Sequence, residues 1–114
     1  MEIDRKTVGL STECQTIMAE IDQLGWFPDL QDAARFCMSY AIRNGVQDGT
    51  TLETQTRWAS GNFDSTGEIR AVLSVLYPEC KAPVRLMEHL VNEGVKMVGQ
   101  RIRSGSVGPH DLMK

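Results

Sequence analysis

A row of cationic and hydrogen-bonding side chains runs along the last long segment of the sequence, residues 83–103. At about 100° per residue, one face of a helix here carries Arg85, His89, Asn92, Lys96 and Arg103, called the polar row below. The opposite face carries Val84, Met87, Val91, Val95, Val98 and Ile102, as is typical of a helix packed on a core. Donors at this spacing can follow the phosphates of a nucleic acid, so the members of the polar row are candidate phosphate contacts.

A hydrated surface is the other interpretation of the polar row. Charged rows on the outer face of an amphipathic helix usually contact only water, and Glu88 and Glu93 flank this one. Arg5 and Lys6, near the N-terminus, are two further candidate phosphate contacts. The row therefore indicates nucleic-acid contact without establishing it.

Catalytic chemistry has little support in the sequence. The two histidines, His89 and His110, are not at metal-ligand spacing with any cysteine or acidic pair, and no GxSxG, P-loop or HExxH pattern occurs. We therefore predict a protein that is not an enzyme, with no catalytic residue, no cofactor and no metal.

The length and charge of the chain limit the classes of protein that it can be. Its 114 residues suit a single domain, residues 1–114, and the net charge of −3 argues against strong, nonspecific nucleic-acid binding. No apolar run approaches the ~20 residues of a membrane span, and the N-terminus lacks the apolar core of a signal peptide. We expect no membrane partner and a cytoplasmic location.

Three cysteines without a CxxC pair fit free thiols in a reducing compartment. Cys14 and Cys37 fall on apolar helical faces and are predicted to be small buried side chains. Cys80, beside Lys81, is the thiol that we expect to be most exposed and reactive.

The elements that must position these residues are mainly helices. An extended segment, residues 1–10, precedes a helix that opens with the capping box Thr12-x-x-Gln15, capped by Ser11 or Thr12, and ends at Gly25. Asp29 is the predicted N-cap of a second helix, which runs to about Arg43 and is apolar around much of its circumference. This second helix is expected to be central and buried, or to form an oligomer interface.

The second half of the chain begins with a long polar loop, residues 46–65, which Trp58 and Phe63 are expected to fix to the core. The capping box Ser65-x-x-Glu68 then opens a third helix with its apolar residues facing inward: Ile69, Val72, Leu73 and Leu76. Pro83 starts the fourth helix, and residues 104–114 are a predicted flexible tail. The expected fold is a mainly α domain of about four helices with a short N-terminal strand and no visible internal repeat.

The order strand, helix, turn, helix over residues 6–44 also suggests a ribbon-helix-helix regulator, in which paired strands enter the major groove. The groove-facing positions would be Arg5, Thr7 and Gly9, and Gly9 has no side chain that could reach a base. Asp29 would also place a negative charge where a helix N-terminus should meet phosphate.

Two segments resemble the DndE family of DNA sulfur-modification proteins. The first is Thr7-Val8-Gly9-Leu10-Ser11, the helix after it, and Phe27-Pro28-Asp29-Leu30 leading into Arg35-Phe36-Cys37-Met38-Ser39-Tyr40. The second is Asn92-Glu93-Gly94 followed by Val95 to Arg103, which is similar to the late Asn-x-Gly helix of that family. Gly61-Asn62-Phe63-Asp64 also fits, and Glu93 stands where the family usually has arginine.

The resemblance implies a small helical protein that forms a homo-tetramer or another homo-oligomer. It also implies partners: double-stranded or nicked DNA, a cysteine desulfurase, a sulfur-transfer enzyme and an ATPase. We therefore expect a non-catalytic, DNA-binding accessory subunit of a bacterial DNA phosphorothioation system. The alternatives are a scaffold subunit of the same complex without DNA contact, and a ribbon-helix-helix transcriptional regulator.

Overall fold

A computed structural model describes residues 4–105 and residue 112 of the chain. The described elements are β1 (Thr7–Leu10), α1 (Thr12–Gln23), α2 (Leu30–Arg43), β2 (Gln55–Ala59), α3 (Ser60–Phe63), α4 (Glu68–Leu76) and α5 (Pro83–Ser104). The predicted mainly α fold with a short N-terminal strand is confirmed. Most of the predicted tail, 104–114, and the start of the predicted extended segment lie outside the described residues.

The first two helices begin at the predicted N-caps, Ser11 and Asp29, and because Ser11 rather than Thr12 caps α1, the predicted Thr12-x-x-Gln15 box is wrong. The Ser11 hydroxyl accepts a hydrogen bond from the Cys14 amide at 3.2 Å, and the Asp29 carboxylate accepts one from the Asp32 amide at 2.8 Å. These side chains satisfy amides that have no partner inside the first turn of a helix. Gly25, at φ 71°, supplies the left-handed conformation after α1, which stops that helix.

The polar stretch 46–65 is not a loop throughout, so that prediction is wrong for its second part. Gln55–Ala59 is β2, which pairs antiparallel with β1, and α3 follows it directly. The rings of Trp58 and Phe63 lie 5.6 Å apart, and Phe63 is fully buried, so these aromatic residues do hold the segment to the core.

The start of α4 differs from the predicted capping box. The buried carboxylate of Asp64 accepts hydrogen bonds from the amides of Ile69 and Arg70, at 3.0 and 3.1 Å. Gly67, at φ 79°, turns the chain so that Asp64 can reach back over the first turn. Asp64 therefore caps α4, and the predicted Ser65-x-x-Glu68 box is wrong.

Packing of α2 against α5 forms the centre of the core. Both helices bury side chains at the same relative spacing: Ala33, Ala34, Cys37, Met38 and Ala41 on α2, and Leu86, Met87, Leu90, Val91 and Gly94 on α5. At the point of closest approach, a Cβ atom on Gly94 would overlap the carbonyl oxygen of Cys37. The absent side chain therefore sets the distance between the two helices.

The described elements repeat one order twice, strand, helix, helix: β1, α1, α2 and then β2, α4, α5, with α3 as an addition. The linkers between the helices of each half, residues 24–29 and 77–82, have equal length. The two strands pair antiparallel, and the second helices of the halves pack on each other. One chain therefore supplies both strands of the ribbon and both pairs of helices.

Candidate nucleic-acid interface

Arg85, the first member of the polar row, is turned toward the loop before β2. Its guanidinium donates to the Gly49 carbonyl at 2.8 Å and to the Thr50 hydroxyl at 2.9 Å, and it forms an ion pair with Asp48 at 3.1 Å. Only 16% of the side chain is exposed. Arg85 therefore holds this loop on α5, and a phosphate would have to displace Asp48.

His89, one turn further on, lies beneath the same loop. Its Nδ1 atom is 3.1 Å from the Thr51 hydroxyl, and a Cβ on Gly49 would lie 2.8 Å from its Nε2 atom. Burial lowers the pKa of His89, because the charged imidazolium is poorly solvated there, and this outweighs the opposing effects of Glu93 and Asp48. The imidazole is therefore neutral at pH 7 and adds no positive charge to the polar row.

Asn92 corrects the prediction most clearly, because its side chain is fully buried. Its carbonyl accepts the Ser11 amide at 2.9 Å, and its amide group donates to the carbonyls of Gly9 at 3.0 Å and Glu88 at 2.7 Å. This side chain fastens the end of β1 to α5 and cannot reach a phosphate. The sequence misled because asparagine is usually exposed, whereas here it satisfies a strand edge.

Lys96 and Arg103 stay partly exposed, and each pairs with a carboxylate. The Lys96 ammonium lies 3.1 Å from Glu93, and that hydrogen bond raises the pKa of Lys96. Arg103 forms a bidentate pair with Glu20 of α1, at 3.0 and 3.1 Å, which raises the pKa of Arg103. Surface pairs of this kind contribute little to stability, but each carboxylate offsets the positive charge that a phosphate would meet.

The two N-terminal candidates differ from each other. Arg5 forms an ion pair with the buried carboxylate of Glu88, which also accepts the Gly9 amide at 2.8 Å and the Thr54 hydroxyl at 3.1 Å. Lys6 is exposed, and no carboxylate among residues 4–105 and 112 pairs with it. Lys6 is thus the predicted cation most available to a ligand.

The polar row therefore does not form a continuous cationic surface. Two of its members hold the loop at 48–51, one is buried, and the other two are paired with glutamates. Residues far away in the sequence supply two of the compensating carboxylates, Asp48 and Glu20, and helical spacing cannot reveal them.

The ribbon of β1 and β2 presents a second polar surface. The hydroxyls of Thr7 and Thr56 lie 3.2 Å apart on one face, and Lys6 and Arg57 next to them are exposed. One edge of β1 pairs with β2, and Glu88 and Asn92 bind the other edge at Gly9. Because both edges of β1 are occupied within the chain, a ribbon shared between two copies through β1 would require breaking these bonds.

The outer face of α4 is apolar and uncovered, although the sequence predicts that it faces inward. Leu73 is buried and Ile69 is half-buried, but Val72, Val75 and Leu76 are 52%, 77% and 49% exposed. A groove of about 230 Å³ lies beside them, where Ile69 and Val72 face Met38 and Ile42 of α2. The predicted inward face is therefore right for Ile69 and Leu73 and wrong for Val72 and Leu76, and Val75, which was not part of it, is the most exposed of these residues.

The cysteines are placed as small side chains rather than as reactive groups. Cys14 and Cys37 are buried, as predicted, and burial raises the pKa of Cys37 to about 12. Cys80 is half-buried and lies 3.8 Å from the Arg85 guanidinium. Burial is the main reason that the pKa of Cys80 is raised, so the thiolate expected there is disfavoured.

Comparison of the chain with protein-family models, with curated proteins and with solved structures finds no match. Within residues 4–105 and 112, no group of three or more histidine, cysteine, aspartate or glutamate side chains could hold a metal ion. In the same part of the chain, no helix combines the length and apolar character needed to cross a bilayer.

Proposed function

We propose that this protein is a non-catalytic assembly subunit of a bacterial DNA phosphorothioation system, acting in the cytoplasm by binding proteins, including further copies of itself. The observation that carries this proposal is the uncovered apolar face of α4. The resemblance to the DndE family is the reason for proposing a phosphorothioation system. It implies a cysteine desulfurase, a sulfur-transfer enzyme and an ATPase as partners. It also implies that the protein assembles as a homo-tetramer or another homo-oligomer.

The α4 face has the character of a self-complementary surface. Val72, Val75 and Leu76 form a ridge, and the groove between α4 and α2 lies next to that ridge. A two-fold rotation sets the ridge of each copy beside the groove of the other, as closed dimers require. Arg70, on the other side of α4, is paired with Asp64, and Ser39 and Glu68 line the groove beside the apolar residues. Burial of the ridge would remove apolar area that now contacts water.

Val75→Asp is expected to convert the assembled protein into monomers, because each contact would then bury an unpaired carboxylate. Leu52→Asp is the matched control: Leu52 is 73% exposed, close to the 77% of Val75, but it lies alone in the loop before β2. Light scattering coupled to size exclusion measures the molar mass of the wild type and both variants. A monomeric wild type, or an unchanged oligomer with Val75→Asp, would contradict assembly through α4.

Contact with duplex or nicked DNA is the second candidate function, and the β1–β2 ribbon favours it over the polar row. Lys6 and Arg57 are exposed, and neither pairs with a carboxylate among the described residues, whereas Lys96 and Arg103 both do. A two-stranded ribbon fits the major groove, and the hydroxyls of Thr7 and Thr56 can donate to phosphates or bases. Such contact would occur once per chain and gain strength from the oligomer.

The double variant Lys6→Glu/Arg57→Glu is therefore expected to weaken DNA binding by about tenfold or more, whereas Lys96→Glu should leave it unchanged. Fluorescence anisotropy with nicked and intact duplexes measures both affinities. Two phosphate contacts per chain predict that each chain in contact with the duplex adds about −1.8 to the slope of log affinity against log salt. Loss of binding with Lys96→Glu alone would instead restore the polar row as the interface.

A further inference from the structure

We propose that the groove between β2 and α1 binds an extended peptide segment of a partner protein, which adds to the open edge of β2 as a third strand. β2 pairs with β1 along one edge, and within residues 4–105 and 112 no strand pairs with its other edge. An unpaired edge offers a row of amide and carbonyl groups to an incoming strand. This site is separate from the α4 face and goes beyond the assembly proposed above.

The backbone of Thr56 points toward that open edge. Thr56 is paired with Gly9, whose amide and carbonyl are bound by Glu88 and Asn92 on the far side of β1. In an antiparallel pair, residues whose backbone groups turn away from each other alternate with residues that exchange hydrogen bonds. The amide and carbonyl of Thr56 therefore turn away from β1 and are placed to bind another strand.

The groove beside this edge has a volume of about 390 Å³ and mixed character. Leu10, Met18 and Leu30 supply an apolar part, into which alternate side chains of an added strand could point. Asp22 of α1 and Arg57 of β2 line the same groove.

The charges of the groove define the chemistry of the segment that it fits. In the described part of the chain, neither Asp22 nor Arg57 forms an ion pair, although six other cations are each paired with a carboxylate. A complementary segment carries an acidic residue for Arg57, a basic residue for Asp22 and apolar residues alternating with them. The five residues of β2 and the irregular pairing near Arg57 limit the added strand to a short segment.

Selection of random linear peptides displayed on phage, against the full chain, tests the proposal. We expect enriched peptides that alternate apolar and polar residues and contain both charges. A fluorescent synthetic copy should bind the wild type and lose about tenfold or more in affinity with Thr56→Pro, which removes the edge amide. Asp22→Lys/Arg57→Glu should weaken binding similarly, whereas Lys81→Glu, at an exposed lysine outside the groove, should not.

Circular dichroism of each variant establishes that its fold is retained. Should Thr56→Pro prove unfolded, the charge-reversal pair supplies the same test, because it leaves the backbone unchanged. Failure to enrich any peptide, or equal affinity of the wild type and the groove variants, overturns the proposal. Displacement of the labelled peptide by a short DNA duplex also overturns it and assigns the groove to nucleic acid.

Discussion

Gly94→Ala is expected to lower the free energy of unfolding by about 3 kcal/mol or more, a large fraction of the stability of a typical domain. The added Cβ would overlap the carbonyl oxygen of Cys37, which is backbone and cannot rotate away. Relief of the overlap requires α2 and α5 to separate, and their contact is the centre of the core. Urea unfolding followed by tryptophan fluorescence and circular dichroism measures the change.

Gly61→Ala is the matched control for this substitution. A Cβ at Gly61 meets no atom within 4 Å, and the backbone there does not adopt a positive φ. The free energy of unfolding of the Gly61→Ala variant should change by less than about 1 kcal/mol, and it should rise, because alanine favours a helix more than glycine does. If Gly94→Ala were as harmless as Gly61→Ala, the close approach of α2 and α5 described above would be incorrect.

The second large effect is expected for Asn92→Leu, which keeps the branched shape of the side chain but removes three hydrogen bonds inside the fold. The amide of Ser11 and the carbonyls of Gly9 and Glu88 would lose their bonds to this side chain. A buried polar group without a partner costs about 1–3 kcal/mol, so we expect a total loss of about 3 kcal/mol. Hydrogen exchange should show faster exchange of the Ser11 amide, because that bond also fixes the junction of β1 and α1.

Asn62→Leu is the control, since Asn62 is exposed at the surface of α3. The comparison separates a structural role of Asn92 from a role in DNA contact. A DNA-contact residue would lower affinity for duplex while leaving the free energy of unfolding unchanged. If the Asn92→Leu variant kept its stability but bound DNA more weakly, Asn92 would be a DNA-contact residue rather than a structural one.

Each residue of the Asn92-Glu93-Gly94 sequence, on which part of the family resemblance depends, has a role inside the fold. Asn92 fastens β1, Gly94 allows α2 to approach, and Glu93 pairs with Lys96. Each role concerns the fold or the charge balance of α5. The resemblance at this segment is therefore explained by packing without any contact to DNA.

The sequence by itself determined the elements whose causes are local. Ser11 and Asp29 cap their helices because the bonds span only three residues, and the apolar helical faces around Cys14 and Cys37 predicted that both thiols are buried. It also predicted that Trp58 and Phe63 hold their segment to the core. Local chemistry is sufficient for the two caps because both partners of each hydrogen bond lie three residues apart.

Only the tertiary structure decided the features that depend on distant partners. β2 lies in a polar stretch without alternating apolar residues, and it is a strand because β1 supplies the other half of the ladder. Asp48 and Glu20 neutralise two members of the polar row from other elements, and Asn92 is buried because β1 lies across it. Periodicity predicted that Ile69, Val72, Leu73 and Leu76 face inward, but only Ile69 and Leu73 are covered, because spacing along one helix does not show which of its apolar residues another element reaches.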